Sequence, residues 1–112
     1  MPAIVSERNV GPVTLLELGG RLVGESTGEL HKKLEGLIEA GRTELLLDCS
    51  QVTAIDSQAL GTLVREWVSA ERHGGKLKLL RPSTQMREAL KVTRLSPLIE
   101  SFDDVSAALR SF

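Results

Sequence analysis

The sequence has few cysteines, few aromatic residues and little net charge, and each shortage excludes a class of protein. Of its 112 residues only Cys49 is a cysteine. No internal disulfide is therefore possible, and a reducing compartment is expected. The aromatic residues are Trp67, Phe102 and Phe112, too few for a surface that stacks nucleic-acid bases. A formal net charge of -1 argues against a nucleic-acid partner, because such proteins neutralise phosphates with basic residues.

Long apolar segments are also missing. No hydrophobic run approaches the roughly 20 residues that a membrane-spanning helix needs, and the N-terminus lacks the pattern of a secretory signal. We therefore expect a cytoplasmic protein without a membrane span. Hydrophobic residues make up 41% and charged residues 26% of the chain, which is typical of a folded protein. The length predicts a single domain over residues 1–112.

The first half of the chain predicts two strands, a helix and a buried strand. The strands cover residues 3–8 and 13–18, and "GGRL" continues the second after a bend. Ser26 and Glu29 form a capping-box pattern before a helix whose apolar face has Leu30, Leu34, Leu37 and Ile38. The segment "TELLLDCS" predicts a strand covered on both faces, followed by a loop over residues 50–55.

The second half alternates helices with strands. A helix from about Ser57 places apolar residues at core-facing spacing, and it ends at His73-Gly74; these apolar residues are Leu60, Leu63, Val64, Trp67 and Val68. "KLKLL" and "LIESF" are predicted strands, Ser83 caps the helix between them, and Asp103 caps a final helix. The order β-β-α-β-α-β-α-β-α predicts an α/β fold: a mixed, mainly parallel sheet of four to five strands with about four helices packed on it.

Enzymatic motifs fail to match. The residues around Ser57 are Ile55-Asp56-Ser57-Gln58-Ala59, without the G-x-S-x-G of a hydrolase. His31 and His73 are expected to be surface or capping histidines, and a metal site is not expected. A phosphate-receiver domain would use Asp48 as its acceptor, but the acidic pair that holds Mg²⁺ in such domains is missing after the first strand. We therefore expect no enzymatic activity and no cofactor.

Asp56 and Ser57 stand where a strand region gives way to a helix. Both are favoured N-cap residues, so a capping role explains them without any further function. The same position suits a phosphoserine, because free backbone N–H groups and the positive end of the helix dipole stabilise its charge of about −1.5 to −2. The residues alone leave both interpretations open.

The segment "LLLDCSQVTAIDSQALGTLV" resembles the signature region of the STAS domain, the family of sulfate transporters and anti-sigma factor antagonists. In that family a strand ends in aspartate and "DSSGLG" opens the next helix. "GGRLVGESTGELHKKL" resembles the family's "G-x-L-D" segment, and "ERHGGKLKLLRPSTQMREALKVTRLSPLIESFDDVSAAL" resembles its C-terminal half. The resemblance covers nearly the whole chain.

The resemblance implies a function in bacterial partner switching. An antagonist of this family binds an anti-sigma factor, which is also a serine kinase of the histidine-kinase-like ATPase fold, and so frees a sigma factor. The kinase phosphorylates the position that is Ser57 here, the complex dissociates, and a phosphatase resets it. We expect the partner to bind the start of the second helix and the preceding loop, a surface that comprises Asp56, Ser57, Gln58, Ala59, Gly61, Thr62, Arg65, Gly24, Glu25 and Ser26.

Three positions depart from the family pattern. Val23 stands where the family has aspartate, with Glu25 two residues further on. Gln58 and Ala59 replace a serine and a glycine. The departures keep a second hypothesis open, that of a scaffold or regulatory module in which Ser57 only caps the helix.

Overall fold

The computed structural model describes residues 3–112. It contains one sheet of five strands in the order β1-β2-β3-β4-β5, in which β1 is antiparallel to β2 and the other neighbours are parallel. The mixed, mainly parallel sheet and its four helices confirm the predicted fold class and element order. In chain order the elements are β1 Ile4–Val10, β2 Val13–Leu22, α1 Glu25–Glu39, β3 Glu44–Ile55, α2 Ser57–Arg72, β4 Lys76–Leu80, α3 Thr84–Val92, β5 Ser101–Phe102 and α4 Val105–Arg110.

The hairpin between β1 and β2 is set by a tight turn. Val10 pairs with Val13, so Gly11 and Pro12 alone make the connection. Gly11 has φ 60, a value that glycine tolerates and that the first position of a type II′ turn requires. This turn connects the two strands of the antiparallel pair, and β2 then pairs in parallel with β3.

Strand β3 separates two hydrophobic cores. Leu45, Leu47 and Cys49 face the larger core, and Leu46 faces the smaller one, as the two-residue period of a strand requires. The larger core contains residues of α1, α2 and α3, and the smaller one is covered by α4. Burial of each large aliphatic side chain stabilises the fold by roughly 1.5–3 kcal/mol. The prediction from "TELLLDCS", a strand covered on both faces, is therefore confirmed.

The prediction of a loop over residues 50–55 is wrong, because β3 continues to Ile55. The cause is long-range: Gln51, Val52 and Ile55 pair with Gly19, Gly20 and Leu22 of β2, with register shifts near the glycines. Asp48 therefore lies inside the strand, where its carboxylate accepts a hydrogen bond from the backbone N–H of Ser50 at 3.1 Å and pairs with Arg81.

Smaller corrections concern the C-terminal region. The last strand was predicted over "LIESF", but only Ser101–Phe102 pairs with β4. Asp104, and not Asp103, caps α4, since its carboxylate accepts from the N–H of Ala107 at 2.9 Å. Ser83 caps α3 as predicted. Within residues 3–112, no helix has both the length and the apolar character needed to cross a bilayer.

Cys49 lies fully inside the larger core, with no exposed surface. Burial, together with the negative charge of Asp48, raises the pKa of its thiol far above the usual range. The side chain is therefore a neutral thiol at physiological pH, unreactive toward reagents in solution.

Candidate partner-binding surface and a second polar cluster

The predicted site lies where β2 and β3 end side by side. Leu22 pairs with Ile55 at the last position of both strands. The backbone N–H of Asp56 then donates to the carbonyl oxygen of Leu22 at 3.4 Å. This contact brings the start of α2 next to the short segment that leads into α1.

Asp56 is the N-cap of α2. Its backbone is extended, with φ -109 and ψ 176, and its carboxylate accepts a hydrogen bond from the N–H of Ala59 at 2.8 Å. Ser57 is the first helical residue and is exposed. The cap predicted for Asp56 and Ser57 together is therefore made by Asp56. The first intrahelical bond runs from Leu60 N–H to Asp56 carbonyl, which leaves the N–H groups of Ser57 and Gln58 ahead of the hydrogen-bonded helix.

Helix α1 begins in a different way, and the predicted capping box is wrong. Its N-cap is Gly24, with φ 57 and no capping side chain. Ser26 lies within the first turn, where its hydroxyl accepts from the N–H of Val23 at 3.0 Å and lies 2.8 Å from the carbonyl of Arg21. The hydroxyl thus holds the end of β2 against the helix, and Glu25 places a carboxylate at the positive end of the α1 dipole.

Exposure divides the predicted partner-binding residues. Ala59 and Thr62 are 0% and 1% exposed, so their side chains face the core. They therefore do not belong to the predicted partner-binding surface. The side chains of Asp56 and Ser26 are half-buried. The remaining predicted residues are exposed, and with Asp56 and Ser26 they form what we call the switch surface: Ser57, Gln58, Gly61, Arg65, Gly24 and Glu25.

Gly61 leaves open space in the switch surface, because glycine has no side chain. A Cβ atom built at Gly61 meets no atom within 4 Å. Tight packing on the sheet, one of the two explanations that the sequence allowed, therefore does not account for the glycine. The other explanation, close approach of a partner, stays a prediction.

A second polar cluster lies further along the same two helices, and the sequence did not predict it. Glu66 of α2 is 0% exposed, and its Oε1 lies 2.5 Å from Nδ1 of His31 on α1. Glu35, one turn after His31, completes a set whose ligand atoms lie within 4.8 Å of one another. His31 is indeed exposed, as predicted, but it pairs with a buried carboxylate.

The environment of Glu66 is unusual for a carboxylate. Burial raises its pKa to about 7, a side-chain hydrogen bond with Glu35 and the charge of Glu35 add to the increase, and His31 opposes it. With both carboxylates ionised, no hydrogen-bond donor among the described residues reaches Oε2 of Glu66; a proton shared with Glu35 would supply one. The sequence carried one signal: Glu66 follows Leu63 by three residues and therefore lies on the core-facing side of α2. Val64 and Val68, predicted to face the core, are only partly buried.

The comparisons with known proteins agree with this architecture. The model of the STAS domain family matches residues 3–108, and the chain therefore belongs to the STAS domain family. A proposed anti-sigma factor antagonist of Thermotoga neapolitana is 32% identical over 82 residues, covering 71% of this chain and 73% of the relative.

Solved structures give the same result. The crystal structure of a proposed anti-sigma factor antagonist from Thermotoga maritima has a TM-score of 0.88 at 25% identity and covers 95% of this chain and 92% of that one. The Bacillus cell fate determinant SpoIIAA, solved in its phosphorylated form, has a TM-score of 0.76 at 21% identity, with 98% and 100% covered; this likeness concerns the fold. The chain thus shares sequence and fold with the anti-sigma factor antagonist branch of STAS proteins.

Proposed function

We propose that this protein is an anti-sigma factor antagonist that binds its anti-sigma factor through the switch surface and is released by phosphorylation of Ser57. One observation carries the proposal: Asp56 caps α2 by itself, at 2.8 Å from the N–H of Ala59, which leaves the exposed Ser57 hydroxyl free for chemistry. The same surface contains the open space over Gly61.

The proposed partner is an anti-sigma factor that is also a serine kinase of the histidine-kinase-like ATPase fold, and a phosphatase resets the switch. The names of the Thermotoga relatives support an anti-sigma factor as the partner. In this scheme the protein is a ligand and a kinase substrate in the cytoplasm, without catalytic activity of its own.

Phosphorylation would act through charge and desolvation. A phosphoserine at residue 57 carries about −1.5 to −2 charges at neutral pH. The N–H groups at the start of α2 and the helix dipole stabilise this charge in the free protein. In the complex the phosphate would lose water without a matching cation, and this costs free energy. The complex therefore dissociates while the fold stays intact.

Phosphorylation is tested by incubating the protein with the cognate kinase and ATP and separating the products on a phosphate-affinity gel. Wild type should shift, and Ser57→Ala should not. Ser106→Ala is a matched control, because Ser106 is an exposed serine in the first turn of α4; this variant should shift like wild type. Equal modification of Ser57→Ala and wild type would show that the assignment is wrong.

Release is tested by measuring partner affinity with calorimetry. Ser57→Asp adds a charge and should weaken binding at least tenfold, while the neutral Ser57→Asn, of similar size, should weaken it much less. Both variants should melt within a few degrees of wild type, because residue 57 is exposed. Equal affinities for wild type and Ser57→Asp would contradict the switch surface.

A second candidate is a STAS interaction module that binds a partner without being phosphorylated. Val23 favours it, because valine supplies no carboxylate at the position where the family has aspartate, and only its backbone N–H takes part in a contact, as donor to the hydroxyl of Ser26. In that case Ser57→Ala leaves the cellular response unchanged, whereas substitutions at Gly61 disrupt partner capture. The gel experiment separates the two candidates.

A further inference from the structure

We propose that His31, Glu35 and Glu66 form a binding site for Zn²⁺ that links α1 to α2. The three side chains supply one imidazole nitrogen and two carboxylates, and their ligand atoms lie within 4.8 Å of one another. His31 and Glu35 are four residues apart on α1, so they lie on the same face one turn apart. Glu66 reaches them from α2.

The ligand set matches zinc in type and charge. Zn²⁺ takes imidazole nitrogen at about 2.0–2.1 Å and carboxylate oxygen at about 2.0–2.2 Å, with water able to fill the fourth position. Two carboxylates and a neutral imidazole balance its two positive charges. Magnesium and calcium prefer oxygen ligands alone, so the histidine selects a transition ion.

The buried carboxylate distinguishes this cluster from an ordinary acidic patch. Glu66 is fully buried, and when Glu35 and Glu66 are both ionised no hydrogen-bond donor among residues 3–112 reaches its Oε2. Buried polar atoms are normally paired. A cation placed between Glu66 and Glu35 would satisfy this oxygen.

The site opens into a pocket of about 460 Å³ that gives an ion access from solvent. Its lining also includes Arg65 and Arg72, which repel a cation. Arg65 is turned toward α2 itself, where its guanidinium donates to the hydroxyl of Thr62 at 3.2 Å. Arg72 is therefore the charge expected to weaken zinc binding.

Binding changes one contact that the structure shows. Nδ1 of His31 lies 2.5 Å from Oε1 of Glu66, so a proton now lies between them. When zinc takes both atoms as ligands, this proton moves to Nε2 of His31 or, where Nε2 already carries a proton, is released to the buffer. The side chains then separate by less than an ångström to fit tetrahedral ligand spacing.

The experiment is calorimetric titration of chelator-treated protein with zinc chloride. Wild type should bind one equivalent of zinc per chain. His31→Asn and Glu35→Gln should each weaken binding at least tenfold, and Arg72→Gln should strengthen it. His73→Asn is the matched control: His73 lines the same pocket, but its Nδ1 lies 2.8 Å from the carbonyl of Ser69, so this variant should bind like wild type.

Nitrogen NMR of the histidine side chains supplies a second readout that does not depend on folding stability. Zinc should shift the Nδ1 resonance of His31 and leave His73 unchanged. The proposal is overturned if zinc does not bind stoichiometrically, if His31→Asn binds as tightly as wild type, or if the metal shifts His73 instead. Each of these outcomes leaves phosphorylation of Ser57 unaffected, since the two sites are nine residues, or about 13–14 Å, apart along α2.

Discussion

Polar side chains at the start and in the middle of helix α2 lie in opposite environments. At its start, Asp56 accepts a hydrogen bond from Ala59, and Ser57 is exposed to solvent. In its middle, Glu66 is buried, with one oxygen bonded to His31 and the other without a donor among the described residues when Glu35 and Glu66 are both ionised. The first arrangement stabilises the helix, whereas the second lowers stability whenever the carboxylate is charged. The difference shows that polar residues on one helix can have separate structural roles.

The largest effect should come from the pH dependence at Glu66. Its pKa is about 7 in the folded protein and near its ordinary 4.5 in the unfolded chain. The folded state therefore binds the proton more tightly, and the free energy of unfolding should fall as pH rises from about 4.5 to 7, by at most about 1.4 kcal/mol per pH unit.

Urea unfolding across this range, with a chelator present, measures the slope, and Glu66→Gln should flatten it. The groups that face Glu66 are His31 and Glu35 on α1, with Arg65, Arg72 and His73 in the same pocket. A wild-type profile identical to that of Glu66→Gln would show that the carboxylate titrates normally.

The next effect concerns the cap. Asp56→Ala removes the hydrogen bond to the N–H of Ala59 and should destabilise the protein by about 0.5–2 kcal/mol. The melting temperature should fall by about 4–8 °C for each kcal/mol, as measured by circular dichroism. Asp56→Asn keeps the acceptor and should retain most of the stability. A stable Asp56→Ala variant would mean that another group caps α2.

Gly61→Ala should have a smaller effect of opposite sign. The added methyl group meets no atom within 4 Å, and alanine in a helix is favoured over glycine by about 0.8–1.0 kcal/mol. The variant should therefore melt at a higher temperature and yet bind the anti-sigma factor more weakly. Gly36→Ala is a matched control on α1, also with open space at its Cβ, and should leave binding unchanged. Unimpaired binding by Gly61→Ala would remove this residue from the switch surface.

The smallest effect on stability is expected at Ser57. Ser57→Ala changes an exposed side chain next to a cap that Asp56 supplies, so unfolding should shift by no more than about 0.5 kcal/mol. Denaturant unfolding of the two single variants, Ser57→Ala and Asp56→Ala, compares how much the proposed switch residue and the cap residue each contribute to the free energy of unfolding. A loss as large as that of Asp56→Ala would mean that the serine has the capping role.

Local patterns were sufficient to predict the element order. The continuous apolar run of β3 and the apolar face of α1 are both visible in the sequence, because a strand covered on both faces is apolar at consecutive positions and a helix repeats every 3.6 residues. The extension of β3 to Ile55 was not visible, since it depends on pairing with β2 beyond Gly19 and Gly20. Such pairing is a tertiary effect that overrides local preference.

At the candidate site, too, local features were predictable from the sequence and long-range contacts were not. Asp56 was predictable as a cap from its residue type and position, and the exposure of Ser57 followed from the helix start. The contact of His31 with Glu66 was not, because the two residues are 35 positions apart and meet only when α1 and α2 lie against the sheet together. Burial of Thr62 required knowing how α2 is rotated about its axis.

The inert thiol of Cys49 makes the molecule easy to label. Because this single cysteine is buried and its thiol is neutral, a maleimide dye will not react with it in the folded protein. A cysteine introduced at the exposed Gln58 would then be the one reactive position. A fluorophore placed there would report, in real time, the arrival and departure of whatever protein covers the start of α2.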